Sequence, residues 1–146
     1  MEMRYVKRLK PVQSKLLDAA AQAMENAHNP YSHYYVGAAV LADGNRIFKG
    51  CNFENAAFND SIHAEMAAIS AANTAGYRRI RAIAVISREK NGKTKVPATP
   101  CGICRQIIFE SSRRSGIDVE VIMSNTDRSK IAVMRISQLL PFAFVF

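Results

Sequence analysis

The sequence predicts an α/β fold, a three-layer α/β/α sandwich around a mixed, roughly five-stranded sheet. Helix-period and strand-period segments alternate in the order helix, hairpin, helix, strand, helix, strand, which puts helices on the faces of a sheet. One strand-like run, from Ile80 to Ser87, is almost continuously apolar and suits a central strand covered on both faces. The 146 residues, 49% of them hydrophobic, suffice for one core and leave no room for a second, so residues 1–146 are expected to form one domain.

From Pro11 to Ala27, Val12, Leu16, Leu17, Ala20, Met24 and Ala27 recur near helical spacing, and Asn29-Pro30 stops the segment. After the turn Asn29-Pro30-Tyr31-Ser32, the run from Val36 to Leu41 and a second from Arg46 to Cys51 flank Ala42-Asp43-Gly44-Asn45. An Asp-Gly pair between two such runs predicts a hairpin. The stretch from Asn52 to Ser61 is polar and turn-prone. Asn59, Asp60 and Ser61 offer caps for an alanine-rich helix from Ile62 to about Ala72, expected to be buried on all sides. Arg88 to Thr99 reads as a polar loop, and Pro100 opens a helix through about Arg114. A strand from Ile117 to Met123, a short one within Asp127–Val133 and a short helix from Ile136 to Leu140 complete the chain. Neither repeats nor low-complexity segments interrupt it.

The chemistry centres on Ser61-Ile62-His63-Ala64-Glu65 and Pro100-Cys101-Gly102-Ile103-Cys104. One imidazole and two thiols are three ligands for one zinc ion, Zn2+, per subunit, and three protein ligands leave a tetrahedral position for water. Glu65 follows His63 by two and is placed to act on that water as a general base. Residues two apart in a helix point about 200 degrees away from each other, so His63 and Glu65 meet only at a helix N-terminus. Cys101 and Cys104 are three apart and share one face of a first turn. Two helix N-termini would then converge on one metal, where their positive ends favour thiolate. A structural zinc needs a fourth protein ligand, and His28 and His33 lack the spacing of one.

The net charge of +8 would attract polyanions, but the basic residues are scattered along the chain, which reads as a solvated surface and not a phosphate track. No apolar run reaches the roughly 18 residues of a membrane span, and the stretch from Met1 to Arg8 lacks the apolar core of a signal peptide. Of the 3 cysteines, two form the Cys-x2-Cys pair, which suits a metal site in a reducing compartment, so a cytoplasmic location is expected. Cys51 is left over and reads as a small buried apolar side chain.

The joint pattern H-x-E followed by P-C-x-x-C is the signature of zinc nucleobase deaminases. With their neighbours, these residues resemble the cytidine deaminase family from about Pro30 to Phe144. Tyr31-Ser32-His33-Tyr34-Tyr35-Val36-Gly37-Ala38-Ala39 is similar to its Y-S-x-F-x-V-G-A segment and Cys51-Asn52-Phe53-Glu54-Asn55-Ala56 to C-N-x-E-N-A. Pro100 to Gln106 is similar to P-C-G-x-C-R-Q, and Leu139 to Phe144 to the L-L-P-x-x-F tail. The resemblance implies hydrolytic deamination of cytidine and deoxycytidine. His63, Cys101 and Cys104 would hold zinc and Glu65 would shuttle protons. Asn52 and Glu54 would bind the ribose 3′-hydroxyl, Tyr34 would pack on the pyrimidine, and Ala64 would complete the substrate-binding set. Phe144 would reach a neighbouring subunit's site in a homotetramer, a dimer being the other assembly.

Three positions depart from the family. His63 stands where small members commonly carry Cys, and Met66 where they carry an Arg that offsets the charge of three thiolates; with a neutral imidazole that Arg has less to do. Tyr35 stands where the family often has Pro. Rival readings are a deaminase of RNA or tRNA, one of a cytosine nucleoside antibiotic of the blasticidin S type, and a non-catalytic zinc-stabilised module that binds nucleic acid. A chain-embedded nucleotide offers no free 3′-hydroxyl to Asn52 and Glu54, which argues against a nucleic-acid partner.

Overall fold

A computed structural model describes residues 3–146; Met1 and Glu2, the start of the stretch read for a signal peptide, lie outside the described residues. Strict alternation along two paired strands decides the layering. Strand β1 (Tyr34–Ala42) runs antiparallel to β3 (Ile80–Glu89), with Gly37 opposite Ile86 and Val40 opposite Ile83. Ala38, Val40, Ile83 and Val85 face one way and pack against α2 (Ala64–Thr74) and α3 (Gly102–Ser115). Ala39, Leu41, Ala84 and Ile86 face the other way and meet Leu16, Leu17, Ala20 and Met24 of α1 (Pro11–Met24). A strand buried on both faces needs apolar residues at every covered position, hence the unbroken run Ala82-Ile83-Ala84-Val85-Ile86 within β3.

The sheet order is β2-β1-β3-β5-β6, where β2 is Ile47–Cys51, β5 Glu120–Ser124 and β6 Ile131–Arg135. Only the β3–β5 pair is parallel, with Ala84 opposite Ile122, and α3 lies in the crossover that joins these two strands. A sixth strand departs from the expected loop at 88–99: β4 (Gly92–Lys93) turns back onto the end of β3. The short helix α4 (Ile136–Leu139) precedes Pro141.

The predicted hairpin joins β1 to β2 through Asp43–Asn45. Gly44 (φ 66°) and Asn45 (φ 57°) both take the left-handed conformation that Gly and Asn tolerate best. Two other glycines set how closely helices approach. A Cβ on Gly37 would lie 2.0 Å from the Ala20 carbonyl oxygen of α1, and one on Gly50 would lie 2.3 Å from Ala68 N and 2.5 Å from Ala64 O of α2. Glycine at these two strand positions lets helix backbone lie directly on sheet backbone, α1 on one face and α2 on the other.

Both expected helix starts move. Helix α2 begins at Ala64 with His63 itself as N-cap, not at Ile62 behind caps at 59–61. Asn59 and Asp60 sit in a separate single turn (Phe58–Asp60), and the Ser61 hydroxyl accepts from Asn55 N instead. Nor is this helix buried all round: Ala64, Glu65, Ala68, Ile69 and Ala72 are buried, whereas Ser70, Asn73 and Thr74 face solvent. Helix α3 begins at Gly102 with Cys101 as N-cap, so Pro100 stands before the helix and not in its first turn.

Candidate active site

Both helix N-termini point at one place. As N-caps, His63 (ψ 149°) and Cys101 (ψ 175°) have extended backbones, so their side chains reach past the helix ends, while Cys104 returns from the first turn of α3. His63 Nδ1 lies 3.2 Å from Cys104 Sγ and 3.3 Å from Cys101 Sγ. The three donor atoms lie within 4.8 Å of one another, and they form the sole cluster of three or more His, Cys, Asp or Glu ligands among the described residues. Zinc with ordinary bond lengths to N and S holds tetrahedral neighbours about 3.5 Å apart, close to the spacing found. His28 and His33 are not in the cluster; His28 stacks on Phe53 at 5.0 Å.

The electrostatics also ask for a cation. Burial pushes the Cys104 thiol up, and the nearby Glu65 and Cys101 push it further. Burial likewise raises Glu65, only 5% exposed, while its own backbone N–H, the Cys104 thiol and His63 pull the other way. Two thiols and a carboxyl crowd together in a site whose only other ligand is an imidazole. A divalent cation reverses the sign of that crowding, and the site's residues fit zinc by number, softness and spacing.

His63, Glu65 and Cys101 open onto a cavity of about 330 Å³, whose wall also carries Asn52, Glu54 and Tyr34. Phe53 assembles that wall. Its backbone exchanges hydrogen bonds with Ile62 (3.0 and 2.9 Å), tying the 52–54 segment to the residue before His63. On the other side, His28 N donates to Asn52 O (3.1 Å) and Glu54 N donates to His28 O (2.8 Å).

The residues expected to touch substrate are only partly free to do so. Glu54 accepts from Tyr31 N (2.8 Å) and Ser32 N (3.0 Å), so it also holds the 31–32 loop. Asn52 Oδ1 accepts from Val36 N (2.9 Å) and Nδ2 donates to Tyr34 O (3.0 Å). The Tyr34 hydroxyl bonds Ser87 Oγ at 2.8 Å, which fixes its ring at the cavity edge. Ala64 is buried at the start of α2 and does not line the cavity. Phe144 is exposed and does not line it either; its backbone is clamped to α3 by Gln106, whose Nε2 donates to Phe144 O (2.9 Å) and whose Oε1 accepts from Phe144 N (3.1 Å).

Besides His63, the other two departures from the family have a place. Met66 lies in an apolar groove between α2 and α3. Tyr35 turns to the opposite face of the sheet, where the Arg88 guanidinium sits 4.1 Å above its ring. Cys51 is a half-buried free thiol, less enclosed than expected.

Sequence reasoning passed over several residues here. Asn29, read only as a helix stop, and Phe58, read as loop, both line the cavity, and Phe58 packs edge-on against Tyr31 at 5.7 Å. Arg105, quoted within a motif but given no task, donates to Pro100 O (2.8 Å) and Leu139 O (3.2 Å), bracing the turn before Cys101. Its position directly behind Cys104 was the available signal.

A family model described as the cytidine and deoxycytidylate deaminase zinc-binding region matches residues 10–117. A cytidine deaminase of Sporosarcina psychrophila is 38% identical over 89% of this chain and 89% of its own length, and one of Halalkalibacterium halodurans is 38% identical over 88% and 91%. The crystal structure of a cytidine deaminase from Burkholderia pseudomallei superposes with a TM-score of 0.79 at 37% identity, covering 90% of this chain and 98% of that one. That of Mycobacterium tuberculosis gives 0.72 at 32%, covering 91% and 97%. Fold, ligand trio and sequence therefore agree, and the chain belongs to the cytidine and deoxycytidylate deaminase family defined by this zinc-binding region.

Proposed function

We propose that this protein hydrolyses cytidine and deoxycytidine to uridine and deoxyuridine, with release of ammonia. The observation that carries the reading is a buried carboxyl, Glu65, set beside three convergent metal ligands on the wall of a nucleoside-sized cavity. His63, Cys101 and Cys104 would hold zinc, which when bound supplies Lewis acidity able to lower the pKa of water from about 15.7 toward about 7. Glu65 takes the proton of the attacking water and delivers it to ring N3 as the C4–O bond forms. It then takes the proton of the new C4 hydroxyl and passes it to the exocyclic amine, so that the C4–N bond breaks, ammonia leaves and C4 becomes the carbonyl of uridine. Its burial beside the ligands keeps the carboxyl within the site, where it can both take up and give back a proton. Asn52 and Glu54 would present polar groups to the sugar and Tyr34 a ring edge to the pyrimidine.

The same reading makes residues 1–146 one catalytic domain, active in the cytoplasm, where its free thiols suit a reducing milieu. No helix among the described residues is long and apolar enough to cross a membrane. The exposed Phe142, Phe144 and Phe146 and the apolar groove between α2 and α3 support self-association, which we propose is a homotetramer, a dimer being the other assembly.

The test is ammonia release from purified protein with cytidine, before and after chelation, beside Glu65→Gln. The expected result is one zinc per chain, loss of turnover on chelation with recovery on adding zinc, and an E65Q protein that keeps zinc and fold but loses roughly 100- to 10,000-fold in kcat. Parental rates from E65Q would refute the mechanism.

A further inference from the structure

Ser87 lines no wall of the substrate cavity, yet one of its atoms is bound to a residue that does. It is the first polar residue after the apolar run of β3 and is 0% exposed. A buried hydroxyl left without a partner carries a penalty. The one side-chain partner of its Oγ among the described residues is the Tyr34 hydroxyl, which donates to it at 2.8 Å. Register explains the reach. Val36 sits opposite Ser87 in the β1–β3 pair, so Tyr34 is the diagonal neighbour of Ser87 on the same face of the sheet, a spacing that a long aromatic side chain spans.

Tyr34 needs this bond more than a core aromatic would. It is 40% exposed and borders both the 330 Å³ cavity and a second depression that it forms with His33 and Lys90. Packing therefore leaves its ring room to turn, and the hydroxyl is what holds it. Tyr34 keeps the aromatic of the family segment, which is Phe there, and adds the hydroxyl that makes this bond possible.

The far end of the tether is itself anchored. The Ser87 carbonyl oxygen accepts from Thr126 Oγ1 (2.7 Å) and Thr94 Oγ1 (3.2 Å), and each of these threonines donates its backbone N–H to the other's hydroxyl (2.8 and 3.1 Å). This clamp joins the loop before Pro100 and the β5–β6 turn to the end of β3. Ser87 is thus the fixed point, and the ring is the part it holds.

Resting on the reading that the Tyr34 ring meets the pyrimidine, we propose that Ser87 is a positioning residue for substrate binding, its buried hydroxyl setting the Tyr34 ring in the binding orientation before substrate arrives. A side chain already ordered in the free protein loses less freedom on binding. A ring that only packs on the base contributes alike in the ground state and the transition state, so the tether acts on KM and not on kcat.

The experiment measures kcat and KM for cytidine in the zinc-loaded parent, Tyr34→Phe, Ser87→Ala and the double variant, with the thermal midpoint of each preparation. Phenylalanine removes one end of the tether and keeps the ring; alanine removes the other end, so the test does not hang on one variant folding. Each single variant is expected to raise KM by roughly three- to tenfold, with kcat within about twofold of the parent. The double variant is expected to match the single ones and not to multiply them, because both substitutions delete the same bond. A merely structural Ser87 would lower the midpoint and leave KM where it was. A parental KM in either folded single variant, or KM effects that multiply in the double variant, would overturn the proposal. A parent that releases no ammonia from cytidine would overturn the substrate reading, and the proposal with it.

Discussion

Gly50 offers a test of whether the placement of α2, and not merely its presence, sets the activity. Its strand backbone needs no left-handed φ, so on conformational grounds alanine there would be neutral or mildly stabilising. Packing reverses that expectation. The new Cβ would stand 2.3 Å from Ala68 N, 2.5 Å from Ala64 O and 2.8 Å from the Ala67 Cβ, whereas ordinary contact begins near 3.4 Å, so α2 has to retreat by about 1 Å. Two of these three contacts are helix backbone, which no rotamer change relieves. Overpacking of this kind costs about 1–3 kcal/mol. The retreat is displaced directly onto His63 and Glu65, which cap and open that helix. A misplacement of about 1 Å in a reacting group costs roughly 100-fold in rate, about 2.7 kcal/mol of activation free energy.

Gly37→Ala supplies the control within the same molecule. Its Cβ would meet α1 at least as closely, 2.0 Å from Ala20 O, but on the face of the sheet away from the metal ligands. Both variants are expected to lower the thermal midpoint, while only Gly50→Ala lowers kcat by roughly two orders of magnitude at saturating cytidine. Zinc content measured on each preparation separates a displaced acid–base group from a lost metal. Equal losses of kcat in the two variants at equal losses of stability would refute the reasoning, because Gly50 would then serve packing alone.

Two further outcomes follow from other contacts. Burial raises the Glu54 carboxyl, but the Ser32 hydroxyl and the N–H groups of Ser32 and Tyr31, with His33 nearby, outweigh it and leave it below its ordinary value of 4.5. A lowered carboxyl contributes stability that is fully present above the unfolded-state value and is lost as pH falls through the folded one. Hydrogen-exchange protection of the Tyr31 and Ser32 amides should therefore decline on the acid side of 4.5 in the parent. In Glu54→Gln it should be lower at neutral pH and nearly flat with pH; a parental pH profile in the variant would contradict the assignment. Gln106→Ala removes both hydrogen bonds to the Phe144 backbone, each worth about 0.5–1.5 kcal/mol, and frees the aromatic tail. If that tail carries the assembly, sedimentation should show a lower-order species at equal protein concentration, and an unchanged distribution would remove the tail from the interface.

Element type and order were legible because burial imposes a period. The continuous apolar run from Ile80 reported a strand covered on two faces, and Leu16, Leu17, Ala20 and Met24 reported the stripe that α1 buries. Element ends were not legible, for a local reason. Asn59, Asp60 and Ser61 have good capping side chains, yet they fall in the turn by which the chain comes back to pair Phe53 with Ile62, and the Ser61 hydroxyl is used within that turn. The short β4 was invisible because Gly92 and Lys93 carry no apolar signal at all. Among site residues, those identified by their chemistry were found, whereas Asn29 and Phe58 matter only through where the backbone brings them.

That difference explains why the metal ligands could be placed before the helices were. Capping is ordinarily the work of Ser, Thr, Asp or Asn, whose side chains bond the free amides of the first turn. Neither His63 nor Cys101 makes such a bond. A helix that forgoes its cap bond sacrifices stability of order 1 kcal/mol. Helices α1 and α4 also lack a bond from the cap side chain but keep one from the cap N–H to Gln13 and Gln138, whereas α2 and α3 have neither, at the two residues whose side chains are aimed at each other. The extended cap backbone lets His63 and Glu65 share a site despite opposing helical directions, since the first leaves along the axis and the second from the first turn. The H-x-E spacing is thus a statement about a helix end, and the better-looking caps upstream were a poorer guide to that end than the chemistry that required it.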